Sequence, residues 1–388
     1  MKHSYLKAIL FALILLLPAF ASYAQSNDDL LNLLIKKNVI TEQDADSVRA
    51  DLALKQQAQK DKTPPIIGIG KQLQVSGLIQ TEYEGFQLPT KYNTFLVHRA
   101  RLDVKGNITD DWSYEVYTEF AGVNPKLLDA YATYRITDYL KFTAGQFKVP
   151  FSAESLQSDA DLDFIDRSQV VNALDARGTT DPLGNQNGRD VGIQLNGSFA
   201  KVNGHYLFDY YLGLFNGQGF DETSNDLNNH KDFAGRLVFH PITNLTIGAD
   251  FYDGKDNYII AKATTATNNK RDRQGLDAKY VLGKLALSGE YDKGTDVATK
   301  KDGWYGQATY FVWSDKLQLA ARYDYYDPTE VTTSVASTAT DATTNYIGGI
   351  NYFFNKYVKF TVDYIYAREQ TKTQINNNTV EAQLQLVF

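Results

Sequence analysis

The groups in this 388-residue chain that could do chemistry are carboxylates, arginines, lysines and five histidines; there is no cysteine. That removes a thiol nucleophile, a disulfide framework and a thiolate metal site. A catalytic histidine needs a nucleophile or an orienting acid within hydrogen-bond reach. His205, His230 and His240 fall at strand ends or in loops without a serine elbow beside them, and His98 falls on the apolar side of its alternating segment. Asp161 and Asp163 could pair as acid and base or hold calcium, but any acidic loop offers those groups. Gly217-Gln218-Gly219 and Gly348-Gly349 lack the lysine and the strand–loop–helix setting of a phosphate loop. They read as loop flexibility and as a bend in a strand. No catalysis, metal or cofactor is expected. A different pattern stands out at Arg99, Arg101, Asp103 and Lys105. Charges two residues apart share one face of an extended strand. A face of that kind can steer ions and polar solutes through water.

The elements that would position these charges follow from the periodicity. Residues 1–24 have the make-up of a signal peptide, with Lys2 and Lys7, the apolar run Ala8 to Phe20, and Ser22 and Ala24 before a cut at Gln25. Its removal leaves 37 basic against 46 acidic residues, an excess of acid that speaks against a nucleic-acid partner. Residues 25–65 read as a periplasmic helical or coiled-coil-like segment. Leu30, Leu31, Leu33, Leu34 and Ile35 crowd one turn, Thr41 caps a second helix ahead of Glu42 and Asp44, and Thr63-Pro64-Pro65 stops it. A flexible preface and an oligomerisation element remain equally open.

Beyond Lys71 the period is two. In the last segment Val380, Ala382, Leu384, Leu386 and Phe388 share one face, with Glu381, Gln383 and Gln385 on the other. Sixteen such segments are predicted: 72–86, 94–107, 111–121, 127–137, 139–147, 189–199, 203–216, 231–240, 244–253, 272–282, 284–292, 302–312, 316–325, 343–354, 357–367 and 379–388. Many run to about ten residues, the length a tilted strand needs to cross a bilayer. Connections alternate between short turns and long loops near 87–93, 122–126, 148–188, 217–230, 254–271, 293–301, 326–342 and 368–378. Putting every long loop at one end is the habit of an outer-membrane barrel, with tight periplasmic turns and longer outer loops. The fold class is therefore all-β: a 16-stranded antiparallel transmembrane β-barrel over 66–388, after a short N-terminal helical segment.

A barrel of sixteen strands is too wide for side chains to fill and encloses water. The apolar faces then meet outer-membrane lipid, which explains why 13% of the residues are aromatic in a chain whose mean hydropathy is −0.37. The charged faces line the lumen. By alternation the pore-lining set includes Arg99, Arg101, Asp103, Lys105, Glu115, Glu119, Asp129, Arg135, Arg236 and Arg322, with Leu96, His98, Ala100, Leu102 and Val104 outside. The terminal Phe388, preceded by apolar residues at alternate positions, resembles the signal read by the outer-membrane insertion machinery.

Two stretches resemble the phosphate-selective porin O and P family. One is Leu96-Val97-His98-Arg99-Ala100-Arg101-Leu102-Asp103-Val104-Lys105-Gly106. The other runs from Ala144-Gly145-Gln146-Phe147-Lys148-Val149-Pro150-Phe151-Ser152 through Asp161-Leu162-Asp163-Phe164-Ile165-Asp166-Arg167-Ser168 to Gly188-Arg189-Asp190-Val191-Gly192-Ile193-Gln194-Leu195. The resemblance implies a porin barrel, a homotrimer, and a long third loop, 148–188, folded inward as a constriction. Lys148, Asp161, Asp163, Asp166, Arg167 and Arg189 are its candidate residues. The apolar anchors Phe151, Leu156, Leu162, Phe164, Ile165 and Val170 independently suggest a sheltered loop. Passive diffusion of small hydrophilic solutes or inorganic ions is the expected function. Phosphate uptake, a cation or polar-nutrient preference, and a non-conducting structural role are the alternatives. Acids outnumber bases on the expected lumenal faces, so Arg99 and Arg101 either guide anions or are bridged to opposing acids.

Overall fold

The computed structural model describes residues 35–37, 67–69, 71–175, 188–202, 204–217, 229–256, 269–296, 299–313, 315–329, 342–370 and 375–388. The expected signal peptide and nearly all of 25–65 lie outside these residues; Ile35 and Lys36 are helical. Two units divide the chain, Met1–Arg49 and Ala50–Phe388. The second holds the sheet.

Its strands are β1 (Ile67–Ile69), β2 (Leu73–Phe86), β3 (Thr94–Asn107), β4 (Trp112–Glu119), β5 (Lys126–Thr137), β6 (Leu140–Lys148), β7 (Arg189–Val202), β8 (His205–Phe215) and β9 (Asp232–Ile242). They continue with β10 (Leu245–Asp256), β11 (Asn269–Leu282), β12 (Leu285–Asp296), β13 (Thr299–Trp313), β14 (Leu317–Asp327), β15 (Thr343–Asn355), β16 (Val358–Glu369) and β17 (Thr379–Val387). From β2 onward each strand pairs antiparallel with the next, and β17 pairs back with β2. The result is a closed barrel of sixteen strands, matching the sixteen segments expected. The seam is completed by Phe388, which exchanges two backbone hydrogen bonds with Gly77, at 2.7 and 3.0 Å. A side chain at 77 would collide with the Phe388 ring. The three-residue β1 is an addition; it pairs with the start of β2, Ile67 opposite Val75.

Alternation sets the two faces. Leu195, Leu212, Leu237, Leu319 and Ile350 project outward and are exposed, whereas Gln80, Arg322, Asp363 and Gln383 are buried inside. This polarity is the inverse of a water-soluble domain and matches a barrel with an apolar coat and a polar interior.

Two expectations need correction. The connection expected at 293–301 shrinks to residues 297–298, because β12 and β13 stay paired out to Asp296 opposite Thr299. Polar residues there read as loop, but a ladder that has left the apolar band can carry polar groups on both faces; Lys301 Nζ meets Asp296 Oδ2 at 2.8 Å. The second correction concerns His98. The β2–β3 register slips between Gln80 and Thr81, so that Gln80 faces Arg99 while Thr81 faces Val97. This bulge absorbs His98 and inverts the faces beyond it. His98 Nδ1 lies 2.5 Å from the buried Glu82 Oε2, and Phe95 and Val97 take the outer face.

Candidate functional site

The connection between β6 and β7 is described as far as Asp175. It forms α1 (Ala153–Leu156), a single 3-10 turn at Asp159–Asp161, and α2 (Gln169–Leu174). Each turn is opened by a serine whose hydroxyl accepts a backbone N–H: Ser152 from Ser155, Ser158 from Ala160 and Ser168 from Val171. Such caps satisfy donors that a short helix leaves unpaired. Lys148, the last residue of β6, donates Nζ to the carbonyls of Ser155, Leu156 and Gln157 at 3.0–3.1 Å. It thereby satisfies the orphan carbonyls at the end of α1.

The segment crosses the barrel interior. In a ring of sixteen strands, β14 stands opposite β6. There Gln169 N–H donates to Asp324 Oδ2 at 2.9 Å, and Arg322 reaches the Asp166 carbonyl at 3.2 Å and the Glu154 carboxylate. Further bonds join Ile165 N–H to Asp363 on β16 (2.7 Å), Asn351 Nδ2 on β15 to the Asp163 carbonyl (2.7 Å) and Lys359 Nζ on β16 to the Leu162 carbonyl (2.8 Å). Apolar anchors make the same crossing. Phe151 packs with Phe147, Phe215 and Tyr252; Val170, Val171 and Leu174 pack with Tyr305; Phe164 packs with Ala320 and Ile347. Two wall glycines leave room for them. A Cβ at Gly303 would stand 2.9 Å from Val170 Cβ, and one at Gly349 would stand 3.1 Å from Phe164.

Asp159 is the charge centre of this segment. Its carboxylate pairs with Arg101 and Arg167, and Arg99 Nη2 stands at 3.5 Å. Arg101 also donates Nε to Glu119 at 2.6 Å, and Glu119 Oε1 accepts the backbone N–H groups of Ala100 and Ala121 at 2.8 Å. Arg99 donates to Gln80 Oε1 at 2.7 Å. Arg189 holds Asp129, and the guanidinium groups of Arg101 and Arg189 both lie over the Tyr117 ring, at 5.6 and 5.9 Å. The structure thus gathers Arg99, Arg101, Glu119, Arg167, Asp129 and Arg189 into one buried network.

The other candidates stand apart from it. Asp103 accepts from Lys105 Nζ at 2.7 Å, and Glu115 accepts from Tyr131 at 2.6 Å. Arg236 on β9 clasps Asp250 and Asp277 across two neighbouring strands at 2.6–2.7 Å. Arg322 is held by Gln307 and Glu154 and lies 4.5 Å over the Phe164 ring. Arg135 is half exposed near the turn before β6, 3.5 Å from Asp111. Asp163 accepts only long bonds from Gln307 and Gln318, at 3.4 and 3.3 Å; Asp161 is half-buried and Asp166 is exposed. Asp159, Glu154 and Tyr117 were not singled out by sequence reasoning. The two acids are indistinguishable there from their acidic neighbours in the loop, and Tyr117 carried only its inward parity. Farther along the segment, burial pushes the Asp175 carboxyl well above the ordinary carboxylate range, and repulsion from Glu290 adds to the shift.

Comparison with known proteins agrees with this architecture. A family model described as phosphate-selective porin O and P matches residues 73–388. Among solved structures, the anion-selective porin from Comamonas acidovorans is 13% identical with a TM-score of 0.59, over 81% of this chain and 99% of that one. Salmonella typhi OmpF is 12% identical with a TM-score of 0.58, over 84% of this chain and 100% of that one. Vibrio cholerae OmpT, described as a trimer form, is 15% identical with a TM-score of 0.55, over 81% and 99%. These likenesses are of fold. No curated protein sequence matches the chain.

Proposed function

This chain belongs to the phosphate-selective porin O and P family, channel proteins of the bacterial outer membrane, and we propose that it passes small hydrophilic solutes and ions by passive diffusion, favouring cations mildly over anions. The observation that carries this reading is the state of the lumenal charges. Arg101, Arg167, Arg189, Arg236 and Arg322 are each paired with acids of the chain itself. Asp324, Asp363 and Glu381, buried on the inner face, each keep a carboxylate oxygen without a hydrogen-bond partner among the described residues. A wall whose positive charges are answered and whose negative charges are in excess attracts cations.

In this reading the inward residues of β3, β4, β5, β9 and β14 line the pore, and the crossing segment, with Lys148, Asp161, Asp163, Asp166 and Arg167, narrows it. The protein has no catalytic task. It assembles as a homotrimer in lipid, as the trimeric Vibrio cholerae relative suggests. Residues 1–24 are removed on export, residues 25–65 stay in the periplasm, and Phe388 serves the insertion machinery.

A second reading, anion or phosphate passage, rests on Arg99. Its side chain keeps 12% exposure and meets Asp159 only at 3.5 Å. The deciding measurement is the reversal potential of single channels in a potassium chloride gradient, repeated with potassium phosphate. A potential of the sign set by potassium supports the first reading. A chloride- or phosphate-set potential establishes the second, and a bilayer that never conducts would leave only a structural role.

A further inference from the structure

The crossing segment ends on a cluster that the channel reading does not use. Asp175, the C-terminal cap of α2, meets Glu290 and Asp292 of β12, and one carboxylate oxygen from each lies within 4.8 Å of the others. All three residues are buried, at 1%, 3% and 0% exposure. Both carboxylate oxygens of Asp175, both of Asp292 and Oε1 of Glu290 have no hydrogen-bond partner among the described residues. Glu290 Oε2 is held in place, accepting the Glu154 backbone N–H at 3.2 Å and the Tyr305 hydroxyl at 3.3 Å.

Several other buried acids of this interior are answered by an arginine: Asp129 by Arg189, Asp250 and Asp277 by Arg236, Glu154 by Arg322. Arg273, on the strand next to β12, donates instead to the carbonyls of Leu174 and Asp272 and to the Asp296 carboxylate, at 2.7–3.0 Å. Five bare oxygens converge in a water-poor pocket, and the charge that Arg273 lends to Asp175 is shared with the Asp296 carboxylate, so the three acids there are left with more negative charge than the described side chains answer.

We propose that Asp175, Glu290 and Asp292 form a calcium site that pins the end of the crossing segment to the barrel wall. The donors are all carboxylate oxygens, which suit a hard divalent cation and disfavour zinc or copper. The five bare carboxylate oxygens, completed by water, reach the six to eight oxygens that Ca²⁺ takes. Mg²⁺ fits less well, because it holds several of its waters and demands a stricter octahedron. Charge neutralisation and the tether then come from the same ion, joining two parts of the chain more than a hundred residues apart.

The inference is independent of which solute passes, and its failure would leave the channel reading intact. The test uses the full-length protein in detergent, stripped with chelator and titrated with Tb³⁺, a luminescent stand-in for Ca²⁺. Tyr305 would act as the light-harvesting group. Saturable luminescence displaced by Ca²⁺ is expected, and Asp175→Asn with Asp292→Asn should weaken binding by about tenfold or more. Asp315→Asn, an exposed carboxylate in the turn before β14, is the control and should leave Ca²⁺ uptake by equilibrium dialysis at the wild-type level. No uptake by the stripped protein, or unchanged affinity in the double variant, would overturn the site.

Discussion

Arg189 closes on Asp129 with two parallel hydrogen bonds, Nε to Oδ1 at 2.8 Å and Nη2 to Oδ2 at 2.7 Å. The pair ties the first residue of β7 to β5 across the intervening β6, and so anchors the chain where it re-enters the wall after the crossing segment. Forked geometry of this kind is specific to arginine and a carboxylate.

Both partners are buried, so removing one leaves the other charged and unanswered. Arg189→Ala should lower unfolding stability in urea-treated lipid vesicles by about 3–5 kcal/mol. Pairing Arg189→Met with Asp129→Leu should recover most of that loss. A single-variant effect below about 1 kcal/mol would mean that water reaches the pair and screens it.

Asp159 answers three guanidinium groups at once. In Asp159→Asn, Arg99 and Arg167 lose their acid while Arg101 keeps Glu119, and the anion-to-cation permeability ratio should rise severalfold. The reversal potential in a salt gradient reads this directly. An unmoved potential would place Asp159 outside the ion path.

The space at Gly303 is filled by Val170. Gly303→Leu should push the segment off β13, at a cost of about 1–3 kcal/mol from overpacking. The new Cβ would also press on the Tyr325 carbonyl of β14, so the β13–β14 ladder should shift locally there. Single-channel traces should show new conductance levels, and traces identical to wild type would argue against a seated segment at that point.

Leu195 lies midway along β7 on the outer face, 43% exposed. Leu195→Arg should cost about 2–4 kcal/mol on refolding into vesicles, as expected for arginine facing the middle of a bilayer. A penalty near zero would show that this face is not in contact with lipid.

The architecture was legible because it rests on alternation and on loop lengths, both of which the sequence carries directly. Sixteen strands and their order follow from Leu, Val and Tyr recurring at every second position, while the polar ends of β12 and β13 escaped that pattern. Alternation failed at His98, where a single bulged residue reversed the faces; neither side chains nor period announce a bulge. The wall arginines Arg101, Arg236 and Arg322 were found as inward residues, as were Glu119, Asp250 and Asp277, but which acid each arginine would pair with was not. Pairing across the lumen depends on where Glu154 and Asp159 are delivered by two short helical turns, and that path has no period to read. Gly349 looked like a bend in a strand. It accommodates a phenylalanine almost two hundred residues earlier, and a contact at that separation leaves no local trace.

The fitted glycines carry a practical consequence for protein engineering. Residues 303 and 349 behave as moulds cast around Val170 and Phe164. A crossing segment transplanted into another barrel would bring its protrusions but not its moulds. Useful grafts would therefore exchange insert and wall together, and natural variants that enlarge either side chain should carry a matching change on the opposing strand.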